Sequence, residues 1–514
     1  MAHFLIAVSA FLPFISASPA PTRPVYAVAE KPIITPSPDP TRTYNERRDI
    51  ISELGSDIDS LLSGLGSAIP SYIVSGVPNF FQGFPTGGDV QSSLGLDSSQ
   101  VSALPTQVLN IPGYANYTDQ GWNVRFHGNV FKQPNITESQ LDDLANGFLI
   151  GTSVQALPPS QASQARNLTA EIYVLQQAND NVTFSLLAAA TQGPSTGGAI
   201  TPQSINEQVD FPYETTDEGD FDAFVQIRGE GLLAGNATQQ IQIADVYTSG
   251  TDTGNATAYF VPDEGLTIIS DIDDILRVTK IWDPEQGLLN SFAKPFTPWM
   301  NMPDIYANWS TSIPNFHFHY LTTTPEQITR NYMDFIYKTY PLGSFDTRPL
   351  NFSNVEETLS VRKVLLEKIF QTYPKRKFIL IADTSNSDVM KDYPAMVTEF
   401  PGQVQCIFLR NTSATDPTDK FPYDTSGFAG INQQQYMFFL VPDDLTHLDI
   451  INGQCLNTTV KQNVTFSYQG LPFGISTNGS NSTSAASSMK MKTGLSGWSV
   501  LFVTLMVTIG WTIL

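Results

Sequence analysis

The sequence LTIISDIDDI, from Leu266 to Ile275, decides the fold. Its first five residues form an apolar, β-branched run of the kind typical of a fully buried strand. Three carboxylates follow directly, on Asp271, Asp273 and Asp274. A second apolar run, KFILIA, is followed in the same way by Asp383. Because parallel strands end at one edge of their sheet, these acidic side chains are expected to lie close together.

The chain around this stretch alternates short apolar runs with helical patterns. This alternation predicts a doubly wound α/β domain with a parallel sheet and a site at the carboxyl ends of its strands. The predicted strands are 266–270, 316–321, 377–382 and 405–409, and the predicted helices are 325–340, 356–373 and 388–400.

The region before this domain has a different pattern. From about 109 to 262, short β-branched or alternating runs are separated by Gly, Asn and Pro, which predicts an all-β, sandwich-like module. The predicted strands are 122–131, 170–175, 181–188, 222–233 and 256–261. No catalytic group is evident there, so an accessory or binding role is expected for this module.

The polar residues at the predicted sheet edge match the needs of phosphoryl transfer through an aspartyl-phosphate. Clustered carboxylates repel unless a cation lies between them, and hard oxygen ligands select magnesium, Mg²⁺. Asp271 is the candidate nucleophile, and Asp273 the candidate general acid that then activates water. Thr322 could hold a phosphoryl oxygen, and Lys363 or its neighbour Arg362 could supply positive charge. The expected metal ligands are Asp271, Asp273, Asp383 and Asp388.

Two other interpretations of these acidic residues are weighed against catalysis. Asp-x-Asp is common in turns, where Asp caps helices, and SDIDS at 56–60 has the same pattern in a helical stretch that we interpret as surface. A Ca²⁺ loop would place its ligands at alternate positions of a single loop, whereas the carboxylates here follow separate strands. The position after successive strands favours an active site.

The ends of the chain indicate the secretory pathway. An apolar run followed by small residues predicts a signal peptide at 1–17. Small residues, a polar spacer and the apolar tail 493–514 have the order of a GPI-attachment signal, with a single-pass helix as the alternative. The other predicted segments are a linker with one amphipathic helix at 18–108, the α/β domain at 263–456, and a Ser/Thr/Asn-rich stalk at 457–492.

Composition agrees with this location and limits the partners. Thirteen Asn-x-Ser/Thr sequons predict a glycoprotein on the extracellular face of the plasma membrane or in the cell wall, held by a lipid anchor. The two cysteines, Cys406 and Cys455, permit at most one disulfide, and the sequence leaves open whether they pair. The net charge of −22 argues against a nucleic-acid partner and disfavours tight docking on anionic lipid.

Blocks of sequence between about 266 and 443 occur in the order and spacing of a known family. They are TIISDIDDILRVTKI (267–281), LLNSFAKPF (288–296) with MPDIY (302–306), HYLTTTP (319–325), YPLGSFDTRPL (340–350), and YPKRKFILIADTSNSD (373–388) with VQCIFLR (404–410). They resemble the catalytic domain of the fungal actin-patch-associated phosphatidate phosphatases, in the haloacid-dehalogenase superfamily. The resemblance implies a haloacid-dehalogenase-like (HAD-like) sheet, a preceding β-rich module, and a phosphate ester such as a lipid phosphate as substrate.

The chain departs from the family pattern at four places. Ile275 stands where the family usually has Thr or Val, and ADTS at 382–385 stands where it has GDSG. The sequence TTTPE at 322–326 replaces Ser-Ser-Ser-Pro-Trp. Arg362 stands at the place of the family's lysine, with Lys363 one residue late. Because a helix turns ~100° per residue, only one of these two can face the site.

These observations predict a Mg²⁺-dependent phosphomonoesterase at the cell surface. The alternative is a catalytically degenerate surface glycoprotein that uses the phosphatase fold for binding. The substrate is less constrained than the chemistry, because an external domain does not face the cytoplasmic leaflet. A lysolipid phosphate, a sugar phosphate or another phosphoester is equally compatible with the predicted site.

Overall fold

The computed structural model describes residues 86–469, apart from 150, 192–204, 238–239, 314, 349–360, 417–418, 420–422, 463–464 and 467. The predicted signal peptide, the amphipathic helix of the linker and the apolar tail lie outside these residues, as does most of the predicted stalk. Among the residues described, no helix is both long enough and apolar enough to cross a bilayer.

A nine-stranded, largely antiparallel sheet forms the first half of the described chain. Its strands are β1 (Thr106–Asn110), β2 (Tyr114–Thr118), β3 (Gly121–Lys132), β4 (Leu175–Gln176), β5 (Thr183–Thr191), β6 (Asn206–Asp210), β7 (Asp220–Gln226), β8 (Gln242–Thr248) and β9 (Ala256–Phe260). The order is β1-β3-β2-β9-β8-β5-β6, with β4 and β7 paired to β3. Of these pairs, β2 and β9 run parallel. Alternate residues of β8 are buried, as expected where one face packs on a core.

Helices α1 (Gly87–Ser93) and α2 (Ser98–Ala103) lie in the segment predicted as a linker. Helices α3 (Glu138–Asn146) and α4 (Pro159–Ile172) lie within 109–262, so the prediction of an all-β module there is wrong. Helix α4 occupies part of the strand predicted at 170–175. Its buried residues recur at helical spacing, at Ala162, Ala165, Leu168, Thr169 and Ile172. The apolar run AEIYVL is therefore the end of an amphipathic helix, followed by a two-residue strand.

The predicted parallel sheet is confirmed, with six strands. They are β10 (Leu266–Ser270), β11 (Phe316–Pro325), β12 (Ser344–Arg348), β13 (Lys377–Asp383), β14 (Val404–Arg410) and β16 (Tyr436–Phe439), while β15 (Tyr423–Asp424) pairs with β17 (Tyr468–Gln469). The order is β12-β11-β10-β13-β14-β16, and every neighbouring pair is parallel. The direction of the chain through the sheet reverses between β10 and β13. In open α/β sheets, ligands bind at the carboxyl ends of the strands beside such a reversal.

Helices and apolar side chains cover both faces of this sheet. The helices are α5 (Pro284–Phe292), α6 (Met302–Ser312), α7 (Glu326–Thr339), α8 (Val361–Thr372), α9 (Ser387–Glu399) and α10 (Thr412–Thr415). Ile268 and Phe318 pack in a core with α6 and α7, whereas Ile269 and Leu380 pack in a core with α8 and α9. Burial on both faces explains why the sheet's apolar runs are continuous rather than alternating.

A disulfide fixes the last part of the parallel sheet. Cys406 of β14 is bonded to Cys455, and their Cα atoms lie 5.4 Å apart. This pairing answers the question that the sequence left open. The HAD-like winding, the sandwich geometry and the domain boundaries stay predictions.

Candidate active site

The carboxyl ends of β10, β11 and β13 surround a pocket of about 290 Å³, counting its open mouth. It is lined by Asp271, Asp273, Ile281, Thr322, Thr323, Thr324, Arg362, Asp383 and Asn386. Five residues predicted for the site from the sequence therefore meet in one pocket.

Asp271 is held at the centre of the pocket by the sheet itself. Its backbone N–H donates to the carbonyl of Ile381 at 2.8 Å, which extends the pairing of β10 with β13. Its Oδ1 accepts from the backbone N–H of Ile272 at 2.8 Å, and its Oδ2 lies 3.0 Å from Arg362 Nη2. Burial raises the pKa of Asp271 to about 6, although Arg362 acts in the opposite direction.

Asp273 lies nearer the solvent, with 18% of its side chain exposed. Its Oδ1 accepts hydrogen bonds from Arg277 Nε at 2.9 Å and from Thr279 Oγ1 at 2.7 Å. The Arg277 guanidinium stacks over the ring of Tyr332, 4.3 Å from its centroid. The carboxylate of Asp273 therefore has a fixed direction, while Asp271 beneath it is almost fully buried.

Asp274, the third carboxylate of DIDDI, shapes the loop rather than the pocket. Its φ of 58° lies in the left-handed region, which Asp tolerates better than most residues. Its carboxylate accepts from the backbone N–H groups of Thr279, Lys280 and Ile281, at 2.8 to 3.2 Å. These bonds close the loop and bring Thr279 to Asp273.

The pKa of Asp383 is raised further than that of Asp271. Burial, together with the negative charges of Asp274 and Asp271, raises its pKa to about 8, although Ser385 donates to its Oδ1 from the backbone N–H at 2.7 Å and from Oγ. A carboxylate with such a high pKa is unfavourable in its ionised form at neutral pH. A bound cation would relieve that cost.

The pocket residues suit Mg²⁺, which keeps several bound waters, better than a metal ion whose ligands all come from the protein. In the part of the chain that the structure describes, no group of three or more His, Cys, Asp and Glu side chains could hold a metal ion on its own. Mg²⁺ usually keeps several waters and binds through one or two carboxylates plus substrate phosphate. Asp271, Asp273 and Asp383 supply hard oxygen donors of this kind.

The threonine run near the end of β11 is fixed by its neighbours. The backbone N–H of Thr324 donates to Thr322 Oγ1 at 3.1 Å, and Thr347 Oγ1 of β12 donates to the carbonyl of Thr324 at 2.6 Å. Thr322, Thr323 and Thr324 line one wall of the pocket together. Their hydroxyl groups are suited to hold phosphoryl oxygens.

Two predicted site residues lie outside the lining. Of the two alternatives for the cation, Lys363 lies at the surface: its Nζ bonds Glu399 at 2.8 Å and a third of its side chain is exposed. Arg362, one residue earlier on α8, is 1% exposed and contacts Asp271. Asp388, predicted as a metal ligand, lies in the first turn of α9 and does not line the pocket. Burial raises the pKa of Asp388, while Arg362 and Lys391 oppose that shift.

The sequence reasoning missed Asn386 and Arg277. Asn386 caps α9, because its Oδ1 accepts from the backbone N–H of Asp388 at 3.0 Å, and it also lines the pocket. Asn before a helical pattern is a known cap signal, so this residue could have been found. Arg277 follows Asp273 by four residues in an irregular loop, where spacing alone gives no indication of contact.

Comparison with known proteins supports the resemblance inferred from the sequence. Residues 266–411 match the model of the phosphatidate phosphatase APP1 catalytic domain. Phosphatidate phosphatase APP1 of Saccharomyces cerevisiae is 26% identical over 160 residues, which are 30% of this chain and 27% of the relative. The match thus spans about a quarter of that protein.

A solved structure described as a beta-galactosidase from Bacteroides fragilis has 6% sequence identity and a TM-score of 0.17. The similarity covers 60% of this chain and 41% of that one. A TM-score this low carries no argument about fold or function.

Proposed function

We propose that this protein hydrolyses phosphomonoesters with Asp271 as nucleophile and Mg²⁺ as cofactor. The proposal starts from the family to which residues 266–411 belong, that of the phosphatidate phosphatase APP1 catalytic domain. The observation that carries the proposal is one pocket in which Asp271 lies 3.0 Å from Arg362 and beside Asp383, whose pKa is raised by burial and by neighbouring carboxylates to about 8. Perturbed carboxylates in a concave site are typical of catalytic groups.

The proposed reaction has two steps. In the first, Asp271 forms a bond to phosphorus and the ester oxygen leaves with a proton from Asp273. In the second, Asp273 takes a proton from water, whose oxygen attacks the aspartyl-phosphate and releases inorganic phosphate. Asp273 suits both steps because it is the more exposed of the two carboxylates and is oriented by Arg277 and Thr279.

The other lining residues hold the transferring group. The Arg362 guanidinium lies beside Asp271 and can neutralise phosphoryl oxygens, while the threonine wall donates hydrogen bonds to them. Mg²⁺, when bound to one or two of the pocket carboxylates, such as Asp271 and Asp383, and to the substrate phosphate, would supply further charge neutralisation. Burial of Asp271 keeps water away from the nucleophile.

Two observations support the proposal of an external, glycosylated and lipid-anchored protein. The disulfide between Cys406 and Cys455 is typical of proteins that fold in an oxidising compartment. The sequons at Asn135, Asn167, Asn181, Asn236 and Asn308 are all exposed. A phosphate-ester substrate, including a lipid phosphate such as phosphatidate, is proposed from the family alone.

Hydrolysis assays test the proposal. The purified ectodomain is given para-nitrophenyl phosphate, a sugar phosphate, lysophosphatidate and dispersed phosphatidate, with Mg²⁺ or EDTA. We expect Mg²⁺-dependent turnover that falls by at least about 10³-fold in Asp271→Asn. The matched control is Asp304→Asn, at an exposed aspartate in the first turn of α6, which should keep full activity. Absence of turnover on every ester, with no Mg²⁺ binding, would favour the non-catalytic alternative.

A further inference from the structure

An ion cluster, formed by Arg125, Asp222 and Asp346, joins the β-rich module to the parallel sheet; Arg125 and Asp346 are buried, and the side chain of Asp222 is 34% exposed. Arg125 of β3 donates from Nε and Nη2 to Asp222 of β7, at 2.7 and 2.9 Å. Its Nη1 donates to Asp346 of β12 at 2.5 Å. The side chains of Arg125 and Asp346 are 2% and 0% exposed. One arginine therefore neutralises a carboxylate from each of the two sheets.

Histidines extend this cluster into the parallel sheet. His319 Nε2 lies 3.4 Å from Asp346 Oδ2, and its Nδ1 lies 2.7 Å from Ser344 Oγ, which is also 2.7 Å from His317 Nε2. Serine, histidine and aspartate are the residues of a hydrolase triad. Here all of them are at most 1% exposed, and the ring of Tyr114 packs edge-on against His319. No substrate can reach Ser344, so these bonds connect strands.

The ion cluster is linked to both walls of the pocket. Asp346 precedes Thr347, whose hydroxyl holds the threonine wall through the carbonyl of Thr324. Asp222 also accepts from Lys368 Nζ of α8 at 2.9 Å, and the same helix presents Arg362 to the pocket. A displacement of the ion cluster would therefore move the threonine wall and the pocket arginine together.

Backbone contacts add to this connection. The N–H of Phe345 in the edge strand β12 donates to the carbonyl of Pro112 at 2.9 Å, and Tyr373 Oη donates to the carbonyl of Ala115 at 3.0 Å. The β-rich module thereby covers the edge of the parallel sheet. An edge strand without such a cover would leave unpaired backbone groups.

We propose that Arg125 is a positioning residue of the pocket, and that the β-rich module is an integral part of the catalytic unit. This replaces the accessory role expected from the sequence. Arg125 acts through Asp346 on the threonine wall and through Asp222 and Lys368 on the helix that carries Arg362.

Hydrogen exchange of the full chain, followed by mass spectrometry, tests the proposal without any assumption about activity. Arg125→Met should accelerate exchange at least tenfold in the peptides covering 320–325, 344–348 and 361–372. The matched control is Arg166→Met, because Arg166 forms ion pairs with Asp142 and Glu138 within the β-rich module. It should leave those three peptides unchanged.

Faster exchange confined to β3 and β7 would overturn the proposal. Arg125→Lys covers the case in which Arg125→Met does not fold, because it keeps a cation in the ion cluster without the planar fork of donors that joins Asp222 to Asp346. It should accelerate exchange of 320–325 and 344–348 by at least threefold, and unchanged rates there would also contradict the proposal.

A kinetic test rests on the proposed function. Arg125→Met should lower kcat for para-nitrophenyl phosphate about 3- to 30-fold at temperatures well below unfolding, and Arg125→Lys should lower it less, because it restores the charge. Unchanged kcat in both Arg125 variants would overturn the positioning role. An inactive wild type would contradict the proposed function instead. The hydrogen-exchange result would then still decide whether Arg125 positions the pocket.

Discussion

Two groups of carboxylates, the ion cluster and the pocket, contact the parallel sheet, and they differ in how their charge is compensated. In the ion cluster, burial alone would raise the pKa of Asp222 and of Asp346, but Arg125 outweighs it and holds both well below the usual range. In the pocket, burial raises the pKa of Asp271 to about 6 and, with its acidic neighbours, that of Asp383 to about 8. Asp346 is as deeply buried as Asp271 and Asp383, yet its pKa shifts in the opposite direction.

This difference indicates what each group contributes. Carboxylates that are fully paired stabilise the contact between two layers, whereas carboxylates left in mutual repulsion cost stability and persist where a ligand uses them. The pocket is therefore the part of the molecule in which stability and activity conflict. Four substitutions or conditions can break or sharpen this comparison.

The largest effect is expected from Asp346→Asn in the ion cluster. The substitution removes a buried carboxylate from Arg125, and breaking a buried pair commonly costs about 3–5 kcal/mol. We expect the free energy of unfolding at pH 7 to fall by that amount, measured by urea denaturation. The control is Asp142→Asn, which breaks the more exposed Arg166 pair and should cost about 1 kcal/mol or less. If both substitutions lowered the free energy of unfolding equally, the ion cluster would contribute no more to stability than an exposed ion pair.

A substitution in the pocket should have the opposite sign. The pKa of Asp383 is raised to about 8, so its ionised form opposes folding, and stability is lost as pH rises from about 4 to 8. In EDTA at pH 8, Asp383→Asn should raise the free energy of unfolding by about 2–4 kcal/mol while lowering phosphatase activity. Saturating Mg²⁺ should reduce the difference. A destabilised variant in EDTA would show that the carboxylate is already compensated.

The parallel sheet and most of the pocket could be predicted from the sequence, because the signals are local. Continuous apolar runs mark β10 and β13, and the carboxylates that follow them must then meet at one edge. The threonine run near the end of β11 follows by the same argument. The position of the pocket therefore depends on strand order and chain direction, which short patterns can show.

Other features depend on tertiary partners and could not be predicted in this way. Strand β12, SFDTR, is fully buried although it contains Asp346 and Arg348. Its charge becomes acceptable only because Arg125 arrives from a distant strand. The choice between Arg362 and Lys363 depended on the phase of α8, which a single sequence does not fix. The run at 170–175 was ambiguous because a short apolar stretch suits a strand or a helix end equally.

Acid should weaken the ion cluster before the pocket. Burial, reinforced by Arg125, lowers the pKa of His127 to about 3 against an ordinary value of 6.5, with Asp346, Asp222 and Lys368 as its other charged neighbours. Below pH 6.5 the unfolded chain binds a proton at His127 that the folded chain does not, so the contribution of His127 to stability falls as pH falls, opposite in sign to that of Asp383. From pH 6.5 to 5 the His127 contribution should fall by about 2 kcal/mol.

His127→Gln tests this by removing the titrating group. The free energy of unfolding of His127→Gln, taken relative to the wild type, should rise by about 2 kcal/mol between pH 6.5 and 5, measured by urea denaturation at several pH values. His447→Gln, at an exposed histidine, is the control and should keep the wild-type slope. An unchanged slope in His127→Gln would assign the acid sensitivity to other groups.

The smallest effect is expected at Lys363, whose comparison with Arg362 tests the assignment of charge within the pocket. Lys363 contacts Glu399 at the surface, and exposed ion pairs contribute little, so Lys363→Met should change kcat/KM for para-nitrophenyl phosphate less than about twofold. Arg362→Met removes the buried cation beside Asp271 and should lower kcat/KM by at least about 10²-fold. Arg362→Lys should recover part of that loss, because it restores the charge without the planar fork of donors. If Lys363→Met lowered kcat/KM as much as Arg362→Met, the assignment of Arg362 as the residue of α8 that faces the pocket would be wrong. The contrast between the paired carboxylates of the ion cluster and the unpaired carboxylates of the pocket would then be wrong as well.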